Sequence, residues 1–130
     1  MIRKNIYSFS VALVIIILSF TGPSTFDRLK IPDLPYLDKL VHLGMYAALM
    51  FVLIIENRKN LLSARSYLYL SLIPLFFGLL IEILQSMFTV TRTGDVLDLA
   101  ADAAGIVLAV LFWLIIRRLF SGEHRDQIRM

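Results

Sequence analysis

Apolar runs broken by short polar loops leave this chain few ways to fold. Asp38–Ile55, Tyr67–Phe88 and Asp95–Arg117 are each hydrophobic over the length of a helix, and Ser8–Phe20 (SFSVALVIIILSF) is almost wholly apolar. A helix needs about 20 residues to cross a hydrocarbon core of ~30 Å. Composition agrees: 58% of residues are hydrophobic and 18% charged, against about 45–50% and about 25% in soluble domains. The mean hydropathy is +0.78. The expected fold is all-α, a single integral membrane domain over residues 1–130 with four transmembrane helices. The first spans roughly 5–21; no small-x-small cleavage site follows it, so it reads as a retained helix rather than a signal peptide.

The loops carry the punctuation. Residues 22–37 hold Pro23, Pro32 and Pro35, which oppose continuous helix, and Tyr36 suits an interfacial anchor. Asp38 is placed to cap the second helix. Thr93-Gly94 separates the third helix from the fourth. Pro74 lies inside the third helix, with Gly78 one turn later, a pair that shapes the helix. Ala100, Ala101, Ala103, Ala104, Gly105 and Ala109 make one half of the fourth helix thin, which lets a neighbour approach. Residues 119–130 read as a polar, poorly ordered tail.

Lysine and arginine bias sets the expected orientation. With both termini inside, Arg3, Lys4, Arg58, Lys59, Arg65, Arg117, Arg118, Arg125 and Arg129 are cytoplasmic. Arg28, Lys30, Lys39 and Arg92 are outside. The net charge of +3 is then a topology signal. No nucleic-acid motif accompanies it, and the expected partner is the lipid bilayer. With no cysteine, disulfides and thiolate metal sites are excluded.

Charged residues inside the apolar runs are the functional signal. Gly78–Gly105, GLLIEILQSMFTVTRTGDVLDLAADAAG, carries Glu82, Gln85, Arg92, Asp95, Asp98 and Asp102. A charge at mid-bilayer costs roughly 2.5–3.5 kcal/mol on insertion scales, so such residues mark candidate sites. At about 100° per residue, positions 82, 85, 89 and 92 share an arc of roughly 80°. Positions 95, 98, 102 and 105 repeat the same offsets. The expectation is two antiparallel helices whose polar faces meet near one hairpin end. His42 and Tyr46 follow Asp38 at four-residue steps on the second helix, which starts at that same end. Asp38, Lys39, His42, Tyr46, Glu82, Gln85, Arg92, Asp95, Asp98 and Asp102 thus form one constellation in the outer leaflet.

In this order, Asp38-Lys39-x-x-His42, Glu82-x-x-Gln85, Arg92 and Asp98 resemble the VanZ-like family of small bacterial membrane proteins. The resemblance covers about residues 38–105. The family usually has asparagine where Asp102 stands, and more often a small polar residue where Asp95 stands. The family's name implies a link to teicoplanin, a glycopeptide acting on the cell envelope. It also implies location in the bacterial cytoplasmic membrane. No reaction comes with the resemblance.

Three functional classes remain open. The first is an outer-leaflet site that binds or processes a cell-wall or lipid-linked ligand. Glu82, His42 and Asp98 are its candidate acid–base residues. Asp38, Lys39, Tyr46, Gln85, Arg92, Asp95 and Asp102 are its candidate ligand contacts. A metal-assisted variant would use His42 with carboxylates of the third and fourth helices. No HExxH or nucleophile-elbow motif is present, so neither catalysis nor a cofactor is read from the chain. The second class is a small proton- or cation-coupled transporter centred on Glu82; the third is a scaffold whose polar network only fixes helix register. The sequence gives no oligomeric state.

Overall fold

The computed structural model describes residues 5–21, 37–88 and 96–128. They form four helices: α1 (Ile6–Phe20), α2 (Leu37–Asn57), α3 (Ala64–Phe88) and α4 (Val96–Ile128). The expected loop over 22–36, including Tyr36, and the turn over 89–94 lie outside the described residues, as do Arg92 and Asp95. The α2, α3 and α4 segments Leu37–Asn57, Ala64–Phe88 and Val96–Ser121 are long and apolar enough to cross a membrane. Helix α1 is shorter, at 15 residues, or about 22 Å at 1.5 Å per residue.

The bundle is built for lipid. Outward-facing positions carry large apolar side chains such as Phe9, Leu13, Leu68, Phe76, Val107 and Phe112. In water so much exposed apolar surface would mark an interaction or aggregation site; in a bilayer it is the ordinary exterior. The interior holds a core of Ile15, Tyr46, Met50, Leu53, Ile54, Ile106 and Ala109. Each helix contributes one stripe. On α2 it is His42, Tyr46, Leu49, Met50, Leu53 and Ile54. On α3 it is Tyr67, Pro74, Gly78, Ile81, Glu82 and Gln85. Both follow the three- and four-residue steps that keep side chains on one helical face.

Helix α2 packs most intimately against α4, so the expected α3–α4 hairpin is a lesser contact. Gly105 explains the preference. A Cβ there would overlap the Leu43 carbonyl oxygen and lie 3.0 Å from the Ala47 nitrogen. The backbones touch because no side chain intervenes. Helix α3 then closes over the α2–α4 pair.

Three polar latches tie the helix ends. The Glu56 carboxylate, in the last turn of α2, accepts from the backbone N–H of Tyr7 at 2.8 Å and from Ser8 N–H at 3.3 Å, as well as from the Ser8 hydroxyl. These are free donors of the first turn of α1, so a side chain of α2 caps α1. At the opposite end, Gln85 Nε2 donates to the Ser19 carbonyl of α1 at 2.7 Å. Short as it is, α1 therefore reaches from the Glu56 end of the bundle to the level of Gln85. The third latch lies with Glu56: Trp113 Nε1 and Arg117 Nη1 donate to the Tyr67 hydroxyl at 3.2 and 3.3 Å.

Two sequence expectations need correcting. Asp38 does not cap α2; the helix already includes Leu37, and Asp38 sits inside its first turn. The segment after Leu119 is not an unstructured tail, since α4 continues to Ile128. No proline follows Arg118 to stop it. The single Gly122 costs about 1 kcal/mol relative to alanine, too little to end a helix that gains a hydrogen bond with each added residue.

Candidate functional site: a buried histidine–carboxylate cluster

His42 lies five residues into α2, Glu82 six residues before the end of α3, and Asp102 six residues into α4. At 1.5 Å per residue each is about 8–9 Å from its helix end. Because the helices alternate in direction, the three share one depth. Each offers a ligand atom, and these atoms all lie within 4.8 Å of one another. Relative exposures are 5% for His42, 7% for Glu82 and 1% for Asp102.

The α2–α4 contact sets the geometry. With Gly105 seated against Leu43 and Ala47, His42, the residue before Leu43 on α2, meets Asp102, three residues before Gly105 on α4. His42 Nδ1 stands 3.0 Å from Asp102 Oδ1, with the carboxylate as acceptor. The other imidazole nitrogen, Nε2, is 4.0 Å from Asp98 Oδ2. The ring therefore has a carboxylate on each side. Tyr46 stacks on it from the next turn, centroids 6.5 Å apart and planes 6° from parallel.

Helix α3 makes room for this. A Cβ on Gly78 would stand 2.8 Å from Asp102 Oδ2 and 3.2 Å from the Tyr46 ring. Gly78 thus admits Asp102 and Tyr46, and Glu82 follows one turn along the same α3 stripe. Asp102 Oδ2 and the Tyr46 hydroxyl are both buried with no hydrogen-bond partner among the described residues.

Toward the bundle end the polar residues grade into solvent. Asp98 is mostly buried, and Lys39 Nζ reaches its Oδ1 at 3.6 Å. Lys39 also lies 3.4 Å from the carboxylate of Asp38, whose side chain is more than half exposed. The Asp38–Lys39–Asp98 series leads inward to His42. A separate apolar groove of about 570 Å³ runs between α1, α2 and α3, lined by Phe9, Leu13, Leu49, Leu53 and Phe77 among others. Phe77 packs on Tyr46 at 6.3 Å between centroids, so the groove adjoins the ring that stacks on His42.

Of the candidate residues, the structure brings together His42, Tyr46, Glu82, Asp98 and Asp102, with Lys39 and Asp38 above them. Gln85 faces inward as expected, but its amide nitrogen is committed to α1. The apolar run of the second helix ends at Ile55, so the sequence leaves Glu56 just outside it and does not reveal its cap on α1. Its one signal was an acid close to a helix C-terminus, where the macrodipole disfavours negative charge. Such a residue needs a partner from elsewhere.

Neither the curated proteins nor the solved structures yield a match to this chain. The VanZ/LLP1 family model matches residues 3–117, most of its length. That span takes in α1, α2, α3, the first two thirds of α4 and the whole cluster, and the chain belongs to the VanZ/LLP1 family.

Proposed function

We propose that this membrane protein binds or processes a cell-wall or lipid-linked ligand at the end of the bundle where the cluster opens. The observation that carries the reading is the convergence of His42, Glu82 and Asp102 from three helices within 4.8 Å. Ionisable groups buried among apolar helices are costly and mark functional sites by default. The graded path through Asp38, Lys39 and Asp98 suits a polar headgroup arriving from the interface. The apolar groove beside Tyr46 suits the chain of an amphiphile. Transport finds less support, because the bundle beyond the cluster is filled by Met50, Leu53, Ile54, Ile106 and Ala109.

The proposed orientation puts the cluster in the outer leaflet of the bacterial cytoplasmic membrane, with both termini inside. Among the described residues, Arg58, Lys59, Arg65, Arg117 and Arg118 lie toward the Glu56 end, and Lys39 lies at the cluster end. That asymmetry follows the positive-inside rule. Contribution to teicoplanin tolerance is part of the same proposal, by way of the family. Reporter fusions at Asn60 should read as cytoplasmic and fusions at Thr93 as external; the reverse would remove the outer-leaflet site.

The direct test is lipid mass spectrometry on the full chain extracted into nanodiscs. The wild type should retain an amphiphile with a polar head beyond the bulk lipids, and Glu82→Gln and Asp102→Asn should lose it. Bulk lipid alone in the wild type, or equal retention in all three, would overturn the reading.

A further inference from the structure

We propose that His42, Glu82 and Asp102 form a binding site for one divalent transition-metal ion. The inference rests on the same site as the function proposed above and gives it an inorganic component. Its basis is the donor set, the spacing and two buried oxygens.

One imidazole and two carboxylates, each from a different helix, converge with no sulfur donor in the set. Nitrogen and oxygen donors mixed in this way suit Zn²⁺ or Mn²⁺. Magnesium and calcium prefer all-oxygen shells. Bonds of about 2.0–2.2 Å at tetrahedral or octahedral angles place neighbouring ligand atoms about 3.0–3.4 Å apart. The His42 Nδ1–Asp102 Oδ1 separation is 3.0 Å, already the edge of such a polyhedron. The whole set lies within 4.8 Å, so loading draws it together by about an ångström or two to reach bonding geometry.

The second observation is independent of the spacing. Asp102 is 1% exposed and Tyr46 0%, yet Asp102 Oδ2 and the Tyr46 hydroxyl have no hydrogen-bond partner among the described residues. Buried polar atoms are nearly always satisfied, and an exception calls for a water or an ion. Both groups border Gly78, one turn from Glu82 on α3. An ion ligated by Asp102 Oδ1 would satisfy Oδ2 either by bidentate binding of the same carboxylate or through a bound water that also reaches the Tyr46 hydroxyl.

The surroundings also fit. When Nδ1 ligates a metal, Nε2 carries the proton, and Asp98 Oδ2 lies 4.0 Å from it. Metal-bound histidines commonly donate their second nitrogen to a carboxylate, and Asp98 would have to close by about 1 Å to accept that bond. The nearby cation Lys39 reaches Asp98 and Asp38, a turn above Asp102. A divalent ion would add positive charge beside the Glu82 and Asp102 carboxylates. Three protein ligands leave a coordination position open, as in zinc sites that take water or a substrate oxygen.

The test uses tag-free full-length protein in nanodiscs, stripped with chelator and titrated with Zn²⁺ and with Mn²⁺. The expected result is uptake of one ion per chain with a rise in Tm. Glu82→Gln and Asp102→Asn should weaken uptake by at least about tenfold, since even residues that only support a ligand contribute about 10–100-fold. X-ray absorption on the zinc-loaded wild type should show a nitrogen–oxygen shell with one imidazole, which decides the matter even if the variants do not fold. Uptake below stoichiometric, a shell without imidazole, or unchanged affinity in both variants would overturn the site. An amphiphile retained by a wild type that takes up no metal would leave the ligand reading standing and remove only this inference.

Discussion

Gly78 of α3 and Asp102 of α4 approach so closely that a methyl group on the glycine would stand 2.8 Å from Asp102 Oδ2. The contact ties the cluster to the packing of three helices. Asp102 is held on its other oxygen by His42, and Tyr46 closes the same space at 3.2 Å from the would-be methyl. Neither neighbour moves without disturbing the imidazole.

Three glycines should therefore respond differently to alanine. Gly44 has nothing within 4 Å of a would-be Cβ, so Gly44→Ala should be neutral or raise stability by up to about 1 kcal/mol through helix propensity. Gly78→Ala gains the same propensity but drives its methyl against the buried Asp102 carboxylate and Tyr46 ring. Its stability should fall between those of Gly44→Ala and Gly105→Ala while ligand or metal retention falls. Gly105→Ala meets the backbone of Leu43 and Ala47, which yields only if α2 and α4 separate. It should cost about 1–3 kcal/mol, the usual range for overpacking. Thermal unfolding in detergent checks the ranking, and a Gly105→Ala protein as stable as Gly44→Ala would contradict the α2–α4 contact.

The His42–Asp102 pair makes a second prediction. Removing His42 leaves Asp102 Oδ1 buried without its donor, so His42→Ala should cost about 1–3 kcal/mol. Asp102→Asn keeps an oxygen acceptor for the imidazole and removes the charge; its cost should be smaller. A double-mutant cycle of His42→Ala with Asp102→Ala should give a coupling of about 0.5–3 kcal/mol. Simple additivity would mean that the two side chains do not interact in the membrane.

Much of this was legible in the chain because membrane helices advertise themselves. The apolar runs and the polar offsets at 82, 85, 98 and 102 placed three helices and one polar cluster without ambiguity of period. Two things were not legible. Which helices pack closest depends on where small residues face each other. Gly105 announces a close approach, but nothing in its neighbourhood names Leu43 as the partner. Contacts between helix ends are equally silent, since Glu56 meets Tyr7 and Ser8 across 48 residues or more of chain. The length of α4 was misjudged for a simpler reason. A polar segment after an apolar one looks like a tail, although helix persists wherever no residue stops it.

The Glu56 cap gives the third prediction. Glu56→Ala should destabilise α1 by about 0.5–2 kcal/mol, the range for losing an N-cap. Limited proteolysis should then cut the start of α1 faster while the α2–α4 core stays protected. Ser8→Ala alone should have a smaller effect, because the backbone N–H groups of Tyr7 and Ser8 keep their acceptor. Unchanged proteolysis in Glu56→Ala would show that bilayer burial alone holds α1 in place.

The last prediction separates a working site from a register-fixing network. Glu82 is the buried acid that α3 brings to His42 and Asp102. Glu82→Gln keeps its size and its capacity to hydrogen-bond but removes the charge. In a scaffold, the residue matters only through packing and polar contacts. The variant would then keep its envelope phenotype wherever it accumulates, and any defect would follow abundance. In a binding or catalytic site the carboxylate is the working group. The variant should insert and accumulate near wild-type levels yet lose teicoplanin tolerance in a strain that depends on the protein. Quantitative immunoblotting beside the tolerance assay distinguishes the two. Replacing Ser86, an exposed neighbour on α3 whose hydroxyl donates to the Ile83 carbonyl, with alanine controls for nonspecific damage to the helix. Full tolerance in Glu82→Gln at normal abundance would remove the functional reading and leave the cluster as structural polar packing.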